Sequence, residues 1–562
     1  MIYFKLIIVL FYCFCTTSRS VYLLSSIDNI EWWQNSVIYE IFLMSFKDSN
    51  SDGIGDLNGV TQKIEYLSNL GIDAIWLTPF YQSPLESSGY DITDYESILP
   101  IFGNINDFKN LVKSAHEKDI KVLIDFVPNH TSNKHVWFKK SVKKIEPYTN
   151  YYIWRNAKNH EDVIRNISTP IVPNNWLRMY PNGDDVSAWI WNDERRQYYY
   201  TQFSINLPDL NYRQSSVHKQ MNNILKYWLE LSIDGIRIDA LKHVYEKYTT
   251  ENESLINPNG PYSYDNLNHT FTTDQIEVYD LIKEWRNLLD TYSSKDGNKR
   301  IIMTESYSPY NVLSMYFKNG AQIPTNFNLI KKDRSNLAFE LYQSLQDWFT
   351  KMPPNSFNSV LQNHDVPRIS SQYGSQYLDN LNVLQLFLPG PCIMYYGGEI
   401  GMDDFDNLSN DIQRTPMQWD NNSYAGFTDG NKKPWIPVNP NYIYKNVMIE
   451  SNVQKSHLNF FKTVSMLRHL SAFKNGGCVV YNFFNTIIVI HRFLDRYQNY
   501  VLVLSFSFQI KQVNLSCQIK NLSEKLSVVV GSKDSGFEVG DQINSSMNFT
   551  MKSFSAVILT DS

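Results

Sequence analysis

Apolar runs of strand length recur along the chain, separated by stretches with helical spacing. Seven such runs are VIYEIFL (37–43), IDAIWLT (72–78), IKVLIDFV (120–127), DGIRID (234–239), RIIMTE (300–305), SVLQNHD (359–365) and CIMYYG (392–397). Amphipathic segments lie between them, at about 60–69, 106–118, 217–231 and 273–289. Continuous apolar strands that alternate with helices are typical of a parallel sheet covered on both faces. With at least seven strands and no Gly-x-Gly-x-x-Gly after the first, the pattern predicts an α/β fold, a (β/α)8 TIM barrel rather than a doubly wound sheet.

Two segments depart from this alternation. Residues 131–205 are rich in Trp, Tyr, Asn and Pro and show no helical period, so we predict a B domain inserted after strand 3 of the barrel. Residues 475–562 hold short β runs such as YVLVLSFS and FSAVILT, which predict a C-terminal β-sandwich domain. The barrel would then occupy residues 21–130 and 206–474.

Residues 1–20, MIYFKLIIVLFYCFCTTSRS, predict a secretory signal peptide, because a Lys is followed by an apolar run and then by small polar residues; an uncleaved anchor is the alternative. Possible N-glycosylation sites fit this route and include Asn166, Asn252, Asn268, Asn407, Asn514, Asn521, Asn544 and Asn548. No later apolar run is long enough to cross a bilayer. We therefore expect a secreted, extracellular chain, in a gut lumen or saliva, with no integral membrane span in its mature form. Cys478 and Cys517 are a candidate disulfide.

The net charge and composition narrow the classes of partner. The formal net charge is −6 and no Lys/Arg run or basic stripe is present, so we expect no nucleic-acid partner. Aromatic residues make up 14% of the chain, which fits either large cores or stacking surfaces for sugar rings.

Polar side chains lie at or just past the ends of several predicted strands. They are Asp125, Asn129 and His130 at the end of the run at 120–127, Arg237, Asp239, Lys242 and His243 at the end of 234–239, Glu305 at the end of 300–305, and His364 and Asp365 at the end of 359–365. In a TIM barrel all of these ends meet at one face, where barrel enzymes place their active sites. Structural ion pairing is the alternative, but three carboxylates from separate strands favour a site.

Three carboxylates without a Cys/His metal cluster suit glycosyl transfer. One carboxylate attacks the anomeric carbon, and a second, kept protonated by burial and by its negative neighbours, protonates the leaving oxygen. We expect Arg237 to hold Asp239 ionised and oriented.

The chain resembles the α-amylase superfamily, glycoside hydrolase family 13, and within it the insect maltase/sucrase-like α-glucosidases. The matching motifs are DFVPNH (125–130), GIRIDALKH (235–243), MTES (303–306), NHDVPR (363–368), YYGGEIGM (395–402) and RTPMQWD (414–420). The resemblance implies a retaining α-glucosidase with Asp239 as nucleophile, Glu305 as acid/base and Asp365 as transition-state stabiliser. The residues assigned to binding of the small-molecule sugar substrate are Tyr90, His130, Phe203, Arg237, His364 and Arg414. In this family a small residue after the nucleophile, here Ala240, accompanies α-1,4 and sucrose linkages, which favours maltose or sucrose.

The segment DSNSDGIGD (48–56) carries oxygen donors at a spacing that suits a hard cation. The donors are the side chains of Asp48, Asn50, Asp52 and Asp56 and the carbonyl of Ile54. The resemblance implies a structural Ca²⁺ in this loop, and a polar glycine turn is the alternative.

Departures from the family pattern keep other functions open. Ser87 stands where the family has an Asp three residues before the Tyr of GYD, and Glu86 is a candidate replacement. Strand 1 continues as FLMSF (42–46) instead of Tyr-Pro-Arg-Ser-Phe, and Leu207 replaces a Gln before Pro208. Loss of a charge-assisted hydrogen bond to a sugar costs about 1.5–3 kcal/mol.

The alternative hypothesis is therefore a catalytically weakened, glycosidase-like binding protein or receptor. A transglucosylase is a third interpretation, and an amino-acid-transporter heavy chain, disfavoured because it needs a membrane span, is a fourth. The intact set of Asp239, Glu305 and Asp365 favours the enzyme. The oligomeric state stays open.

Overall fold

The computed structural model describes residues 21–23, 30–165, 167–182, 185–330, 332–408, 410–430 and 432–561. The predicted signal peptide and the Asn166 sequon therefore lie outside the described residues. Among the helices of the described part, none is long and apolar enough to cross a membrane.

Eight parallel strands form the central sheet. In chain order, barrel strands 1 to 8 are Val37–Ile41, Ala74–Leu77, Lys121–Phe126, Gly235–Ile238, Ile301–Thr304, Ile323–Pro324, Ser359–Val360 and Cys392–Tyr395. Consecutive strands pair in the sheet except strands 6 and 7, and strand 8 also pairs with strand 1. Side chains join strands 6 and 7, because Asn358 donates to the Pro324 carbonyl at 2.9 Å and accepts from the Asn326 N–H at 2.8 Å. The predicted (β/α)8 barrel is confirmed, with Ile323–Pro324 as a strand that the sequence pattern did not reveal.

The helices cover the outside of the barrel and the inserted segment. The α-helices are Leu43–Phe46, Leu57–Gln62, Ile64–Asn69, Ile105–His116, Val136–Val142, His160–Ile164, Ser215–Leu229, Glu277–Asp296, Tyr310–Lys318, Leu337–Lys351, Ile369–Tyr373, Leu378–Phe387, Val447–Asn452, His457–Leu467 and Ser471–Lys474. The 3₁₀ turns are Trp32–Asn35, Pro100–Phe102, Tyr148–Asn150, Leu241–His243, Tyr264–Asn266, Phe327–Leu329, Arg334–Asn336, Ser375–Tyr377, Gly398–Ile400, Ser423–Gly426, Pro440–Ile443 and Leu515–Cys517. In Ile105–His116, Asn104 and Asp107 form a capping box and one apolar stripe is buried, which explains why the pattern predicts this helix well.

Side chains alternate across the barrel strands. One apolar set fills the barrel interior and includes Ile38, Trp76, Leu123, Met303 and Ile393, whereas the residues between them join the core under the helices. This is the period-2 pattern of strands buried on both faces. At the carboxyl ends of the strands the interior positions become polar, and the candidate site lies there.

The segment 131–205 has its own small sheet. Trp189–Asn192, Gln197–Tyr200 and Trp154–Arg155 pair antiparallel, and Leu177–Asn182 forms a hairpin with Asp185–Ser187. Although its sequence shows no helical period, the segment holds two short helices, Val136–Val142 and His160–Ile164, which are too short for a period to be recognised. The first begins where the His135 ring accepts the Trp137 N–H at 3.0 Å.

The C-terminal region consists of two antiparallel sheets. The larger has the strand order Val21–Leu23, Gly477–Phe483, Ile487–Phe493, Tyr500–Ser505, Ala556–Asp561, Lys525–Gly531 and Gln542–Asn544, and the smaller pairs Lys511–Val513 with Phe549–Met551. Val489 and Val503 pack towards the smaller sheet, and Ile488 and Leu502 pack towards the barrel. The predicted C-terminal β domain is thus present, while the domain boundaries at 130, 205 and 474 stay predictions.

Two further details of this region differ from expectation. Val21–Leu23, which the sequence pattern placed with the barrel, pairs with Gly477–Phe483, because a three-residue strand is too short to show where it pairs. Cys478 is a buried free thiol, so the candidate disulfide with Cys517 is not formed.

A short antiparallel pair of strands, Tyr81–Gln82 with Asp94–Ile98, follows barrel strand 2.

Candidate active site

The register of the barrel strands brings charged residues together. Arg237 on strand 4 lies directly opposite Asp125 on strand 3. Ile238 lies opposite Thr304 on strand 5, so the residues that follow these two, Asp239 and Glu305, leave their strands side by side. Residues far apart in sequence therefore meet because parallel strands end at one face.

The Arg237 guanidinium contacts three carboxylates. Its Nη1 donates to Asp125 Oδ1 at 3.0 Å and to Asp239 Oδ1 at 2.6 Å. Its Nη2 lies 3.2 Å from Glu305 Oε2. Arg237 is buried, and its guanidinium lies over the Trp76 ring, 4.9 Å from the centroid. A charge buried here is stabilised by ion pairs and hydrogen bonds that offset its lost hydration.

Three acids facing one cation alter the protonation of Asp239. Burial raises the pKa of Asp239, the Arg237 charge lowers it, and Glu305 and Asp125 raise it again, so the pKa lies well above that of a free carboxylic acid. The expectation that Arg237 simply holds Asp239 ionised is therefore incomplete, because the same cation also serves Asp125 and Glu305. Together, the three acids around Arg237 favour the retention of a proton. Glycosyl transfer requires that one acid of the site be protonated.

The backbone of Ala240, the residue directly after Asp239, contacts Glu305. It adopts a left-handed conformation with φ 50° and ψ 30°, a strained geometry for a residue with a side chain. Its N–H donates to Glu305 Oε2 at 2.8 Å. Asp239 Oδ2, in contrast, accepts no hydrogen bond from the described residues, so this oxygen is left for a ligand.

Asp365 lies on the other side of the site between Arg414 and His364. Its Oδ1 accepts from Arg414 Nη2 at 2.9 Å, and its Oδ2 lies 3.3 Å from His364 Nε2. Burial raises the pKa of Asp365, but the charges of His364, Arg414 and Arg237 outweigh burial and hold the pKa below its usual value. Asp365 is therefore ionised, as stabilisation of positive charge on a sugar requires.

Tyr90 joins the two halves of the site. Its ring stacks on His364 with centroids 5.6 Å apart and an interplanar angle of 13°. Its hydroxyl donates to Asp125 Oδ2 at 3.0 Å and lies 2.9 Å from His364 Nε2. The side chain predicted to stack on a sugar is thus held in one orientation by both sides of the barrel.

His130 and Phe203 border the site on the side of the inserted segment. Their rings are 5.3 Å apart, edge to face, and burial lowers the pKa of His130 to about 4. The His130 Nε2 atom is buried and has no partner among the described residues. Because buried polar atoms are normally hydrogen-bonded, this nitrogen is a candidate ligand contact.

Two exposed tyrosines at the rim were not predicted from the sequence. Tyr180 stacks on Phe203 with centroids 6.3 Å apart, and Tyr307 stacks on Phe327 at 4.2 Å. Aromatic residues are common in this chain, so nothing in the sequence distinguishes these two tyrosines from core residues. Stacked, half-exposed rings at a cleft rim suit the apolar faces of a sugar.

Comparison with known proteins agrees with this geometry. Residues 40–476 match the model of the alpha amylase catalytic domain, which is most of the chain. The chain belongs to the α-amylase family. It is 38% identical to Maltase 1 of Drosophila virilis, over 92% of this chain and 85% of that protein. It is 36% identical to a salivary alpha-glucosidase of Aedes aegypti, over 90% of each protein.

Two other matches show how widely this fold is used. The chain is 36% identical to the amino acid transporter heavy chain SLC3A1 of Rattus norvegicus, over 89% of this chain and 74% of that protein. The crystal structure of an alpha-glucosyl transfer enzyme, XgtA, superposes with a TM-score of 0.79 at 24% identity, over 95% of this chain and 100% of that one. At that identity the structural likeness supports the fold alone.

The departures from the α-amylase family pattern have local consequences. Arg414 Nη1 donates to Ser88 Oγ at 3.0 Å and pairs with Asp411 at 2.9 Å, so it has partners although Ser87 supplies no carboxylate. Glu86 is engaged elsewhere, because it pairs with Lys134 and accepts from the Asn206 amide at 3.1 Å. The suggestion that Glu86 replaces the missing carboxylate is therefore not supported.

The oxygen-rich loop 48–56 is closed by hydrogen bonds to its own backbone. Asp48 accepts from the N–H groups of Asn50, Ser51 and Gly53, and Asn50 and Asp52 each accept from the amide two residues further on. Asp56 caps the helix Leu57–Gln62 by accepting from the Gly59 N–H at 2.8 Å. Across the described residues, no group of three or more His, Cys, Asp or Glu is arranged to hold a metal.

The donor set of this loop nevertheless has the chemistry that a hard cation prefers. Its oxygens are carboxylate, amide and carbonyl oxygens, although Asp48 Oδ1 and Asp56 Oδ1 each already accept two hydrogen bonds. The residues therefore fit Ca²⁺ in chemical type, while the observed geometry is that of a polar turn.

Proposed function

We propose that this chain is a retaining α-glucosidase that hydrolyses terminal α-glucosidic bonds of small sugars such as maltose and sucrose. The observation that carries the proposal is the shared guanidinium of Arg237, which touches both Asp239 and Glu305. Because a guanidinium is small, the two carboxyl groups are close neighbours. Retaining enzymes need a separation of about 5–5.5 Å, whereas inverting enzymes leave about 6.5–9.5 Å for a water molecule.

The residues divide the reaction into two displacements. With the proton of the group on Glu305, the Asp239 carboxylate attacks the anomeric carbon through Oδ2 and forms a covalent glucosyl ester, while Glu305 gives that proton to the departing glycosidic oxygen. Glu305, now ionised, then takes a proton from water, whose oxygen attacks the anomeric carbon and releases Asp239. Asp365 stabilises the positive charge that develops on the sugar in both transition states.

The choice of substrate rests on Ala240 and on the relatives. A small side chain next to the nucleophile leaves room for the leaving sugar. Maltases and α-glucosidases are among the similar proteins, at 36–38% identity over most of the chain. Transglucosylation uses the same intermediate when a sugar hydroxyl replaces water, so we include it as an accompanying activity.

A binding protein or receptor with little turnover is the second candidate function. The one observation behind it is Ser87, which lacks the carboxylate expected near Arg414, whereas the similarity to maltases and α-glucosidases supports the enzyme. Against it, Asp239, Glu305 and Asp365 are all retained, and their contacts form one connected set.

Secretion, glycosylation and Ca²⁺ binding are further parts of the proposal. Salivary α-glucosidases among the relatives support secretion. Exposed sequons support glycosylation; they are Asn252, Asn268, Asn407, Asn521 and Asn548. The oxygen donors of loop 48–56 support a bound Ca²⁺ with a structural role.

The deciding experiment is glucose release by the purified chain from maltose, sucrose and isomaltose in parallel. Glu305→Gln is the blank, because Gln can still accept from the Ala240 N–H but cannot donate an acidic proton. Glucose release from maltose or sucrose by the wild type, together with no release by Glu305→Gln, supports the assignment as an enzyme. No release by a folded protein that still binds glucosides would make the binding protein the better proposal.

A further inference from the structure

Glu40 is a buried carboxylate beside the candidate active site, and none of the sequence motifs pointed to it. It lies in barrel strand 1, is fully buried, and faces the interior of the barrel with Ile38 two residues earlier. Its Oε1 pairs with His364 Nδ1 and also accepts from the His364 backbone N–H at 3.3 Å. Its Oε2 is buried and has no partner among the described residues.

The contacts of His364 determine where its protons are. An ionised Glu40 can only accept, so His364 Nδ1 must carry a hydrogen. The Tyr90 hydroxyl spends its own hydrogen on Asp125 at 3.0 Å, so the contact of 2.9 Å between its oxygen and His364 Nε2 needs a hydrogen on Nε2. Both ring nitrogens then donate, which is the arrangement of an imidazolium ion.

The groups that face His364 come from several elements. They are Glu40 of strand 1, Phe42 after it, Trp76 of strand 2, Tyr90, Asp125 of strand 3, the adjoining Asp365, and Arg414 after strand 8. Burial lowers the pKa of His364, whereas Asp365 and Glu40 together raise it above its ordinary value against the opposing charge of Arg414. The electrostatics therefore agree with the hydrogen-bond directions.

We propose that Glu40 is a positioning residue that holds His364 as an imidazolium and thereby fixes Tyr90 and Asp365 for glycosyl transfer. The inference rests on the proposed function. A continuous set of contacts runs from Glu40 through His364 and Tyr90 to Asp125, and from there through Arg237 to Asp239. Without the proton on Nε2, the Tyr90 hydroxyl would donate to His364 instead of Asp125, and Asp365 would lose one of its cations.

Glu40→Gln tests this inference, because the amide oxygen can still accept from Nδ1 but carries no charge. The pKa of His364 falls in the variant, so its second proton is lost at a lower pH. For an aryl α-glucoside, whose good leaving group needs little help from the Glu305 proton, we expect the alkaline limb of kcat/KM to move by about one pH unit towards acid, and kcat/KM above that limb to fall about tenfold. Glu40→Asp, which keeps the charge, should restore part of the limb.

Glu399→Gln is the matched control. Glu399 is also a buried acid, but it accepts from Tyr39 at 2.8 Å and from Tyr66 at 2.7 Å, away from His364. The inference is supported if Glu40→Gln shifts the pH profile and Glu399→Gln leaves it unchanged. Identical alkaline limbs in wild type and Glu40→Gln would overturn it.

A second measurement does not depend on turnover. The ¹⁵N shifts of the His364 ring in the wild-type protein, assigned by comparison with His364→Asn, report whether both nitrogens are protonated at pH 7. A neutral ring overturns the inference even if Glu40→Gln does not fold. If the wild type releases no glucose, the proposed function fails, while the ring signals still decide the role of Glu40.

Discussion

Arg237 donates from Nη1 to Asp239 Oδ1 at 2.6 Å while its Nη2 lies 3.2 Å from Glu305 Oε2. One fixed, planar cation thus sets the positions of the proposed nucleophile and the proposed acid/base relative to each other. A lysine could not do this, because its ammonium is a single point charge on a flexible chain. The relationship leads to the first two predictions.

Asp239→Asn should remove turnover and leave the fold intact. The amide oxygen can still accept from Arg237, but an amide does not attack the anomeric carbon, so kcat should fall by at least about a thousandfold. Glucose release from maltose and the melting temperature are the two measurements. Asp347→Asn, at an exposed i,i+4 pair with Lys351, is the control and should keep full activity. A normal rate in Asp239→Asn would remove Asp239 from the mechanism.

The first glucose released should be the α-anomer. Two displacements at one carbon retain configuration, and the contact of Asp239 and Glu305 with one guanidinium favours the short separation of a retaining pair. Proton NMR of the anomeric signals during the first minutes of hydrolysis distinguishes α- from β-glucose before they equilibrate. Initial β-glucose would show an inverting reaction and contradict the proposed roles.

Much of this site could be predicted because its residues lie at or directly after the carboxyl ends of strands whose apolar pattern is clear. Asp125, Arg237, Asp239 and Glu305 follow from strand ends and the parallel register alone. Glu40 could not be recognised, because one polar residue inside the apolar run VIYEI gives no sign of its partner, His364, which is 324 residues away. Strand Ile323–Pro324 has two residues and contains a Pro, so no period marks it.

Ser87→Asp should raise kcat/KM for maltose about ten- to a hundredfold. The loop places the neighbouring Ser88 hydroxyl 3.0 Å from Arg414 Nη1, so a carboxylate one residue earlier would enter the same region. A charge-assisted hydrogen bond to a buried sugar hydroxyl contributes about 1.5–3 kcal/mol. Steady-state kinetics measure the change, and Ser87→Ala is the matched control, expected to differ little from wild type. No gain in Ser87→Asp would mean that other groups already bind the distal hydroxyls.

Asn358→Leu should destabilise the barrel by about 2–5 kcal/mol, because it leaves buried backbone groups without partners. Asn358 is fully buried and bridges strands 6 and 7 through the Pro324 carbonyl and the Asn326 N–H. Denaturant unfolding followed by fluorescence gives the free energy of unfolding. The same substitution at the exposed Asn110 controls for the change of residue type and should be nearly neutral. Equal stability of the two variants would mean that strands 6 and 7 are held together by other contacts.

Calcium should raise the melting temperature if loop 48–56 binds it. A ligand present at a hundred times its Kd adds about 2.7 kcal/mol to the free energy of unfolding, which corresponds to a shift of a few degrees. Thermal unfolding in excess Ca²⁺ and in EDTA measures this difference. Asp48→Asn will itself change the melting temperature, because Asp48 accepts hydrogen bonds from three backbone N–H groups of the loop. The informative quantity is therefore the difference between its melting temperatures in calcium and in EDTA. A response in wild type that Asp48→Asn removes supports the site. Identical melting in calcium and EDTA would mean that the loop is a polar turn, stabilised by its own hydrogen bonds.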